Sequence, residues 1–477
     1  MSNVVFFPDN ENFKQRNFPM IHRVMREFGL QAIFDEPPKT KDLNFYLNDP
    51  GGDFAKTVIA NRFIYNVDLF EIVEADYRRY INARSLSENL SFNWADILNK
   101  KFDTLDKAAL KKLLESLNEA RAFIEYYREK LFIKRPLLVF VFGGSKIYQR
   151  ACMKICELFN LNTFVLEYFF TGKHLYIEPQ YTQIQNNPWT IKRIYDRAKK
   201  ETGPLKPINL LLSNINVKAQ PNTDYVDEIL ALIKDERLGC VFLQVFDDYS
   251  LTNIADDFVL SDELDRIVEL ALQENDIILL KLHPFEYIKH GARPTKDYLE
   301  NKFFDEIRLG RIYLVEGMLD EQLSRVNNWY GIVSQYALNL TLMGLSPNYN
   351  DAFFFRELFC EMEPYEKTIL LHDITEHGFF DKTEKSYEKF LEHLSANLLP
   401  SIGCSESDLE KFNNKLYEIK KTRKIVVSSN ATNSPVNNRH KRSTKIRNAI
   451  RKIRNAIRLL IIDPRSFRAK LFAKLKL

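Results

Sequence analysis

The 477-residue chain lacks the short motifs that mark the commonest nucleotide and metal enzymes. Its one prominent glycine turn, Gly143-Gly144-Ser145, is not followed by Gly-Lys-Ser/Thr, and no run has the three spaced glycines of a dinucleotide fingerprint. No Asp-x-Asp occurs anywhere, which argues against a transferase that holds its nucleotide through a carboxylate-bound Mg²⁺ or Mn²⁺. HExxH is absent too. His372, Asp373, Glu376 and His377 superficially resemble metal ligands, but the two histidines stand five apart and the segment reads as a polar loop. No metal cofactor is expected.

Cysteine is scarce. Cys152, Cys156, Cys240, Cys360 and Cys404 are odd in number and form no CxxC pair, which fits buried thiols in a reducing compartment. The N-terminal residues MSNVVFFPDNENF have neither a charged region nor a leader-length apolar stretch, and no run reaches the ~18–20 apolar residues of a membrane span. A cytoplasmic, unsecreted protein is expected.

Charge is unevenly placed. The net of +4 hides a segment, 439–477, with fourteen Lys or Arg and one acid, Asp463, for a net of +13; the 54 basic and 63 acidic residues of 1–438 leave −9. Such asymmetry calls for an anionic partner of the tail. KIRNAI occurs twice there, at 445–450 and 452–457, and Ile446, Ile450, Ile453, Ile457 and Leu460 fall on one helical face among Arg and Lys. Pro464 interrupts the pattern before a second amphipathic piece, 467–477. The tail is therefore expected to lie on anionic inner-membrane lipids. RNA is the rival ligand. Only Phe467 and Phe472 are present to stack on bases, so no nucleic-acid partner is expected.

Short apolar runs alternate with helical patterns, the mark of βαβ units. Strands are predicted at 4–7, 30–34, 136–144 and 162–167, with helices at 18–28 and 148–159 and a mainly helical stretch over 66–134. The pattern restarts after the polar stretch 199–207, with strands at 208–213, 239–245, 277–283, 311–316 and 329–334 and helices at 223–234, 262–273 and between 384 and 421. The expected architecture is α/β, with two Rossmann-like doubly wound domains: 1–205, on the acceptor side, and 206–425, nucleotide-binding with trailing helices. A flexible linker, 426–438, and the basic amphipathic helical tail, 439–477, follow. Ligands of such sheets bind at the strand C-terminal edges.

Five stretches fall at those edges. Gly143, Gly144 and Ser145 leave a strand and enter a helix, either as a ligand loop or as a tight turn. Glu167 ends a buried strand, where it is either a cleft carboxylate with a raised pKa or the partner of a nearby Lys. Gln244, Asp247 and Asp248 follow another strand; only one acid is expected to face the cleft, and the second caps a turn. Lys281 and His283 sit two apart before Pro284, suited to a nucleotide phosphate or, for the histidine, to a backbone carbonyl. Ser334 and Gln335 open a helix, as phosphate donors or as a plain N-cap.

In this order the stretches resemble the capsule polysaccharide biosynthesis family that includes bacterial β-Kdo transferases. The resemblance rests on Glu167, Phe170, Gly172, Glu178, Pro179 and Asn187; on Leu243, Gln244, Val245 and Asp248; on Lys281, His283 and Pro284; and on Ser334 and Gln335. It spans roughly residues 136–345. It implies a GT-B-like glycosyltransferase taking Kdo from CMP-Kdo with retention, with Glu167 and Asp248 catalytic, Asp247 an alternative to Asp248, and Lys281, His283, Pro284, Ser334, Gln335 and Gln244 at the nucleotide. The implied acceptor is a lipid-linked or oligosaccharide glycan, and the implied location is peripheral, on the inner face of the membrane near capsule assembly and export proteins. Two other readings are open: the same fold with another nucleotide sugar, and an inactive assembly factor of the export machinery.

Overall fold

The structure, a computed structural model, describes residues 4–9, 13, 17–27, 29–38, 54–90, 92–103, 105–168, 174–179, 181, 223–233, 236–318, 322, 324–334, 336–342, 345, 347–349, 380, 381 and 390. The linker 426–438 and tail 439–477, the strand expected at 208–213, the segment 372–377, and Phe170, Gly172, Asn187 and Gln335 lie outside them. By packing, Met1–Gly403 is one compact unit and Cys404–Leu477 a second.

The chain opens with β1 (Val4–Phe7), α1 (Pro19–Glu27) and β2 (Gln31–Phe34), followed by α2 (Phe54–Ala60) and a small hairpin of β3 (Phe63–Ile64) and β4 (Val67–Asp68). Three helices come next: α3 (Leu69–Ser85), α4 (Trp94–Leu98) and α5 (Lys107–Lys134). The Asp68 side chain caps α3 at Phe70 N and that of Asp106 caps α5 at Ala109 N, so both helices start where a carboxylate satisfies an orphan N–H. Then come β5 (Leu138–Phe142), α6 (Ile147–Phe159), β6 (Asn162–Tyr168) and β7 (His174–Pro179).

The second half runs α7 (Thr223–Leu232), β8 (Leu238–Phe242), a 3₁₀ turn (Tyr249–Asn253), α8 (Leu260–Glu274) and β9 (Ile277–Lys281). It continues with α9 (Pro284–His290), α10 (Pro294–Lys302), α11 (Phe304–Arg308), β10 (Ile312–Val315), β11 (Asn328–Gly331), α12 (Tyr336–Leu342), β12 (Asn348–Tyr349) and β13 (Phe380–Asp381).

Two main sheets result, ordered β13-β7-β6-β5-β1-β2 and β10-β9-β8-β11-β12. The second is wholly parallel, and the first is parallel except that β7 runs against β6 and β13 against β7. In the first sheet, alternate residues serve opposite faces. Val5, Phe7, Leu138, Phe140, Phe164 and Leu166 pack with α1, whereas Phe6, Val139, Val141 and Val165 pack with α3, α5 and α6. Helices thus cover both faces, the doubly wound arrangement expected from the alternation of strands and helices. The β9 run IILLK is apolar because a parallel strand between two neighbours is buried on both sides.

Three expectations need correction. A domain of 206–425 does not hold as a continuous block, because β13 adds to the first sheet and Phe390 is buried in that sheet's core. The strand expected to end at His283 stops at Lys281; His283 is the N-cap of α9, with Pro284 in its first turn, where a missing N–H costs nothing. The strand expected over 239–245 stops at Phe242, leaving 243–245 as an edge loop. The antiparallel β7 was not anticipated; its run HLYIEP follows polar and glycine residues that read as loop.

Gly331 illustrates the tight packing of the second sheet. A Cβ there would lie 1.9 Å from the Phe242 ring, which crosses the strand and meets Tyr336 edge-on at 5.6 Å. Gly331→Ala is expected to lower stability by about 1–3 kcal/mol, the usual cost of overpacking, as read by chemical denaturation.

Candidate functional site

Glu167 is the penultimate residue of β6, at the C-terminal edge of the first sheet, and Asp248 follows β8 at the same edge of the second. Burial pushes the Glu167 carboxyl up to about 7, against the hydrogen bond from the Tyr168 N–H (3.1 Å to Oε1), and the charge of Asp248 pushes it further. The two carboxylates therefore sense each other across the two sheets. Among the described residues no Lys or Arg pairs with Glu167. The approach is close: a Cβ at Gly143, whose φ is +67°, would sit 3.1 Å from Glu167 Oε2. Glycine is required there by conformation and by proximity alike.

Asp248 caps the 3₁₀ turn, with Oδ1 accepting from Ser250 N at 2.9 Å. Asp247 does something different. It accepts from Arg79 Nη2 (2.5 Å), Lys289 Nζ (2.6 and 2.7 Å) and His290 Nε2 (3.1 Å), while Arg79 Nε donates to its carbonyl at 2.7 Å. Burial opposes its ionisation, but the hydrogen bonds from Lys289 and Arg79 and their charges prevail and hold it below the usual aspartate value. Asp247 is thus held in an ion-pair bridge, whereas Asp248, whose charge acts on Glu167, makes no such pair among the described residues. That separates two residues which spacing alone left equivalent.

The glycine loop is a tight turn. Gly143 N donates to Leu166 O and Gly144 N to Phe142 O, both at 2.7 Å, and Lys146 N to Gln149 Oε1 at 3.2 Å. The first N–H of α6, on Ile147, goes to Asp76 Oδ2 at 2.8 Å. With these N–H groups satisfied internally, the loop offers little to an anion; Ser145 is half-buried beside them.

Lys281 ends β9 half-buried, with Nζ 4.8 Å from the centre of the Tyr336 ring. Burial lowers its pKa, and no carboxylate among the described residues pairs with it. A desolvated cation at a strand C-terminus is suited to a ligand anion. His283 Nδ1 accepts from Phe285 N at 3.2 Å, which places the imidazole proton on Nε2. Pro284 fixes this cap at the first turn of α9. Ser334 Oγ accepts from Tyr336 N at 3.2 Å as a helix cap, keeping its own proton to donate.

Gln244 is buried, with Nε2 donating to Ser250 Oγ (2.9 Å) and Oε1 accepting from Val333 N (3.0 Å). Its amide therefore joins the turn that carries Asp248 to the end of β11. Glu178 is buried on β7 opposite Val165. Cys152, Cys156 and Cys240 are buried free thiols. Among the described residues no cluster of His, Cys, Asp and Glu could hold a metal, and no helix is long and apolar enough to cross a membrane.

Sequence reasoning passed over α3. Asp76 and Arg79, one turn apart in DYRRY, look like any solvated helix face, yet they contact the second half of the chain.

No protein-family model matches the sequence, and no curated protein matches it. Among solved structures it is similar to a UDP-GlcNAc 2-epimerase of Methanocaldococcus jannaschii, at 10% identity over 83% of this chain and 99% of that one, with a TM-score of 0.28. A UDP-GlcNAc 2-epimerase of Neisseria meningitidis is similar at 11% identity over 87% and 99%, with a TM-score of 0.27. The architecture rests on the strand order, not on these likenesses.

The raised Glu167 carboxyl has a consequence for stability. Its folded pKa of about 7 lies above the ordinary value of 4.5, so the folded state keeps a proton that the unfolded chain releases between those limits. The resulting penalty is absent below pH 4.5, grows as pH rises and is complete above about 7. Glu167→Gln is expected to stabilise the protein by about 1–3 kcal/mol at pH 8, with no gain at the acid end, in denaturation curves across pH.

Proposed function

We propose that this chain is a nucleotide-sugar-dependent glycosyltransferase of bacterial surface polysaccharide assembly, transferring Kdo from CMP-Kdo with retention to a lipid-linked or oligosaccharide acceptor. The observation that carries the reading is Glu167, a carboxyl at a strand C-terminal edge pushed up to about 7 by burial and by the charge of Asp248, with neither acid neutralised by a cation of the described residues. The motif resemblance supplies the donor.

In this mechanism the Asp248 carboxylate attacks the anomeric carbon as the bond to the CMP phosphate breaks, giving a glycosyl-enzyme. The acceptor hydroxyl then attacks the same carbon, releasing Asp248, and its proton passes to ionised Glu167. Two displacements at one carbon retain its configuration. Lys281, His283 Nε2–H and the Ser334 hydroxyl stabilise the departing phosphate, with Pro284 setting the histidine and Gln244 the Asp248 turn. The glycine loop supports Glu167 by leaving room for its carboxylate.

Purified protein given CMP-Kdo and a lipid-linked or short glycan acceptor is expected to release CMP only with acceptor. The rate should rise as pH passes through about 7, and Glu167→Gln should lower kcat by ~10²–10⁴. Release with a different nucleotide sugar would replace the donor and keep the mechanism. Silence across a donor panel, without CMP binding, would favour an assembly factor.

The basic segment 439–477 is proposed to hold the enzyme on anionic lipids. Vesicles of phosphatidylglycerol should sediment the full chain but not a chain ending at 438, through an attraction on the order of 1 kcal/mol per basic residue near the surface that added salt weakens. Equal sedimentation of both would remove the tail from this role.

A further inference from the structure

Asp76 and Arg79 stand on α3, in the half of the molecule built on the first sheet, yet both reach the turn that carries Asp248. Arg79 Nη2 and Nε hold the side chain and carbonyl of Asp247, at 2.5 and 2.7 Å, and Arg79 Nη1 donates to the Tyr249 hydroxyl at 2.6 Å. That hydroxyl in turn donates to Asp76 Oδ1 at 2.7 Å, and the Arg79 guanidinium lies 4.2 Å from the centre of the Tyr249 ring. The residues on both sides of Asp248 are therefore gripped from α3. The other oxygen of Asp76 accepts from Ile147 N at 2.8 Å, at the start of the helix that leaves the glycine turn packed against Glu167.

One short segment of α3 thus anchors the supports of both carboxylates, and neither Asp76 nor Arg79 is itself one of the pair. We propose that Asp76 and Arg79 are positioning residues that, through the Tyr249 hydroxyl and the Ile147 N–H, set the spacing between Glu167 and Asp248. The proposal rests on the transferase reading for its chemical meaning. Its test does not depend on turnover.

The readout is the titration of Glu167 in the intact protein, followed by carboxyl-selective ¹³C labelling and assigned by the signal lost in Glu167→Gln. The charged and titratable groups around the relay are Asp76 and Arg79 on α3, which also bond each other at 3.2 Å, Asp247 and Tyr249 beside the second sheet, Lys289 and His290 on α9, and Tyr148 and Arg150 on α6; Asp248 and Tyr168 act on Glu167 itself. Tyr249→Phe removes the relay hydroxyl without changing charge at neutral pH and keeps the ring under Arg79; Asp76→Asn breaks the same relay from the other side.

Each variant is expected to lower the Glu167 midpoint, because an Asp248 that has moved away no longer opposes ionisation. In an Asp248→Asn background the Tyr249→Phe effect should vanish. An unchanged midpoint in Tyr249→Phe, or the same change with and without the Asp248 charge, would overturn the proposal. Should Asp76→Asn fail to fold, Tyr249→Phe alone decides. Absence of transferase activity in the wild type would refute the functional reading and leave this measurement intact.

Discussion

The guanidinium of Arg79 is the densest polar tie between the half built on the first sheet and the segment after β8. Apolar packing also crosses between the halves, with Leu86 buried in the core of the second sheet and Val259 among the helices of the first, but it is not directional. All three Arg79 nitrogens donate to the segment after β8, and Nη1 also donates to Asp76 at 3.2 Å. Arg78 reinforces this tie through Ala255 O and Asp256 Oδ1, at 2.7 and 2.8 Å, and the Asp256 carbonyl accepts from Trp94 N at 2.7 Å. The planar fork of Arg suits such a junction, because several directional bonds follow from placing one rigid group.

The cost of the junction's position falls on Glu167. A carboxyl at a strand end would ordinarily find a cation or solvent, and this one has the backbone N–H of its neighbour and another carboxylate nearby. Strain of this kind persists where the surrounding structure over-determines it, and it clusters at functional sites. The same logic applies with opposite sign to Lys281, a cation drawn out of water with an aromatic ring beside it.

Much of the fold was legible in the sequence because periodicity reports burial. The runs VVFF, LVFVF, NTFVLE and IILLK are strands since they are apolar on the scale of a few residues, and α6 and α8 are helices since their apolar positions recur at 3.6. The edges were legible less well. His283-Pro284 marks the end of a strand and the start of a helix equally, because proline is compatible with both, and only the neighbours β8 and β10 show that pairing stops at Lys281.

Legible in the amino-acid order are the alternation of strands and helices, the placing of Glu167 at a strand end and of Asp248 in the loop beyond one, and the segregation of basic charge into 439–477. These are local properties, written in spacing and composition. Tertiary packing alone draws Asp247 into an ion-pair bridge that leaves Asp248 out, returns Phe380–Asp381 to the first sheet, and joins α3 to the start of α6 and to the turn after β8. Each of those depends on contacts between residues far apart in the chain. Asp76 and Tyr249 are separated by 173 positions and joined by one hydrogen bond.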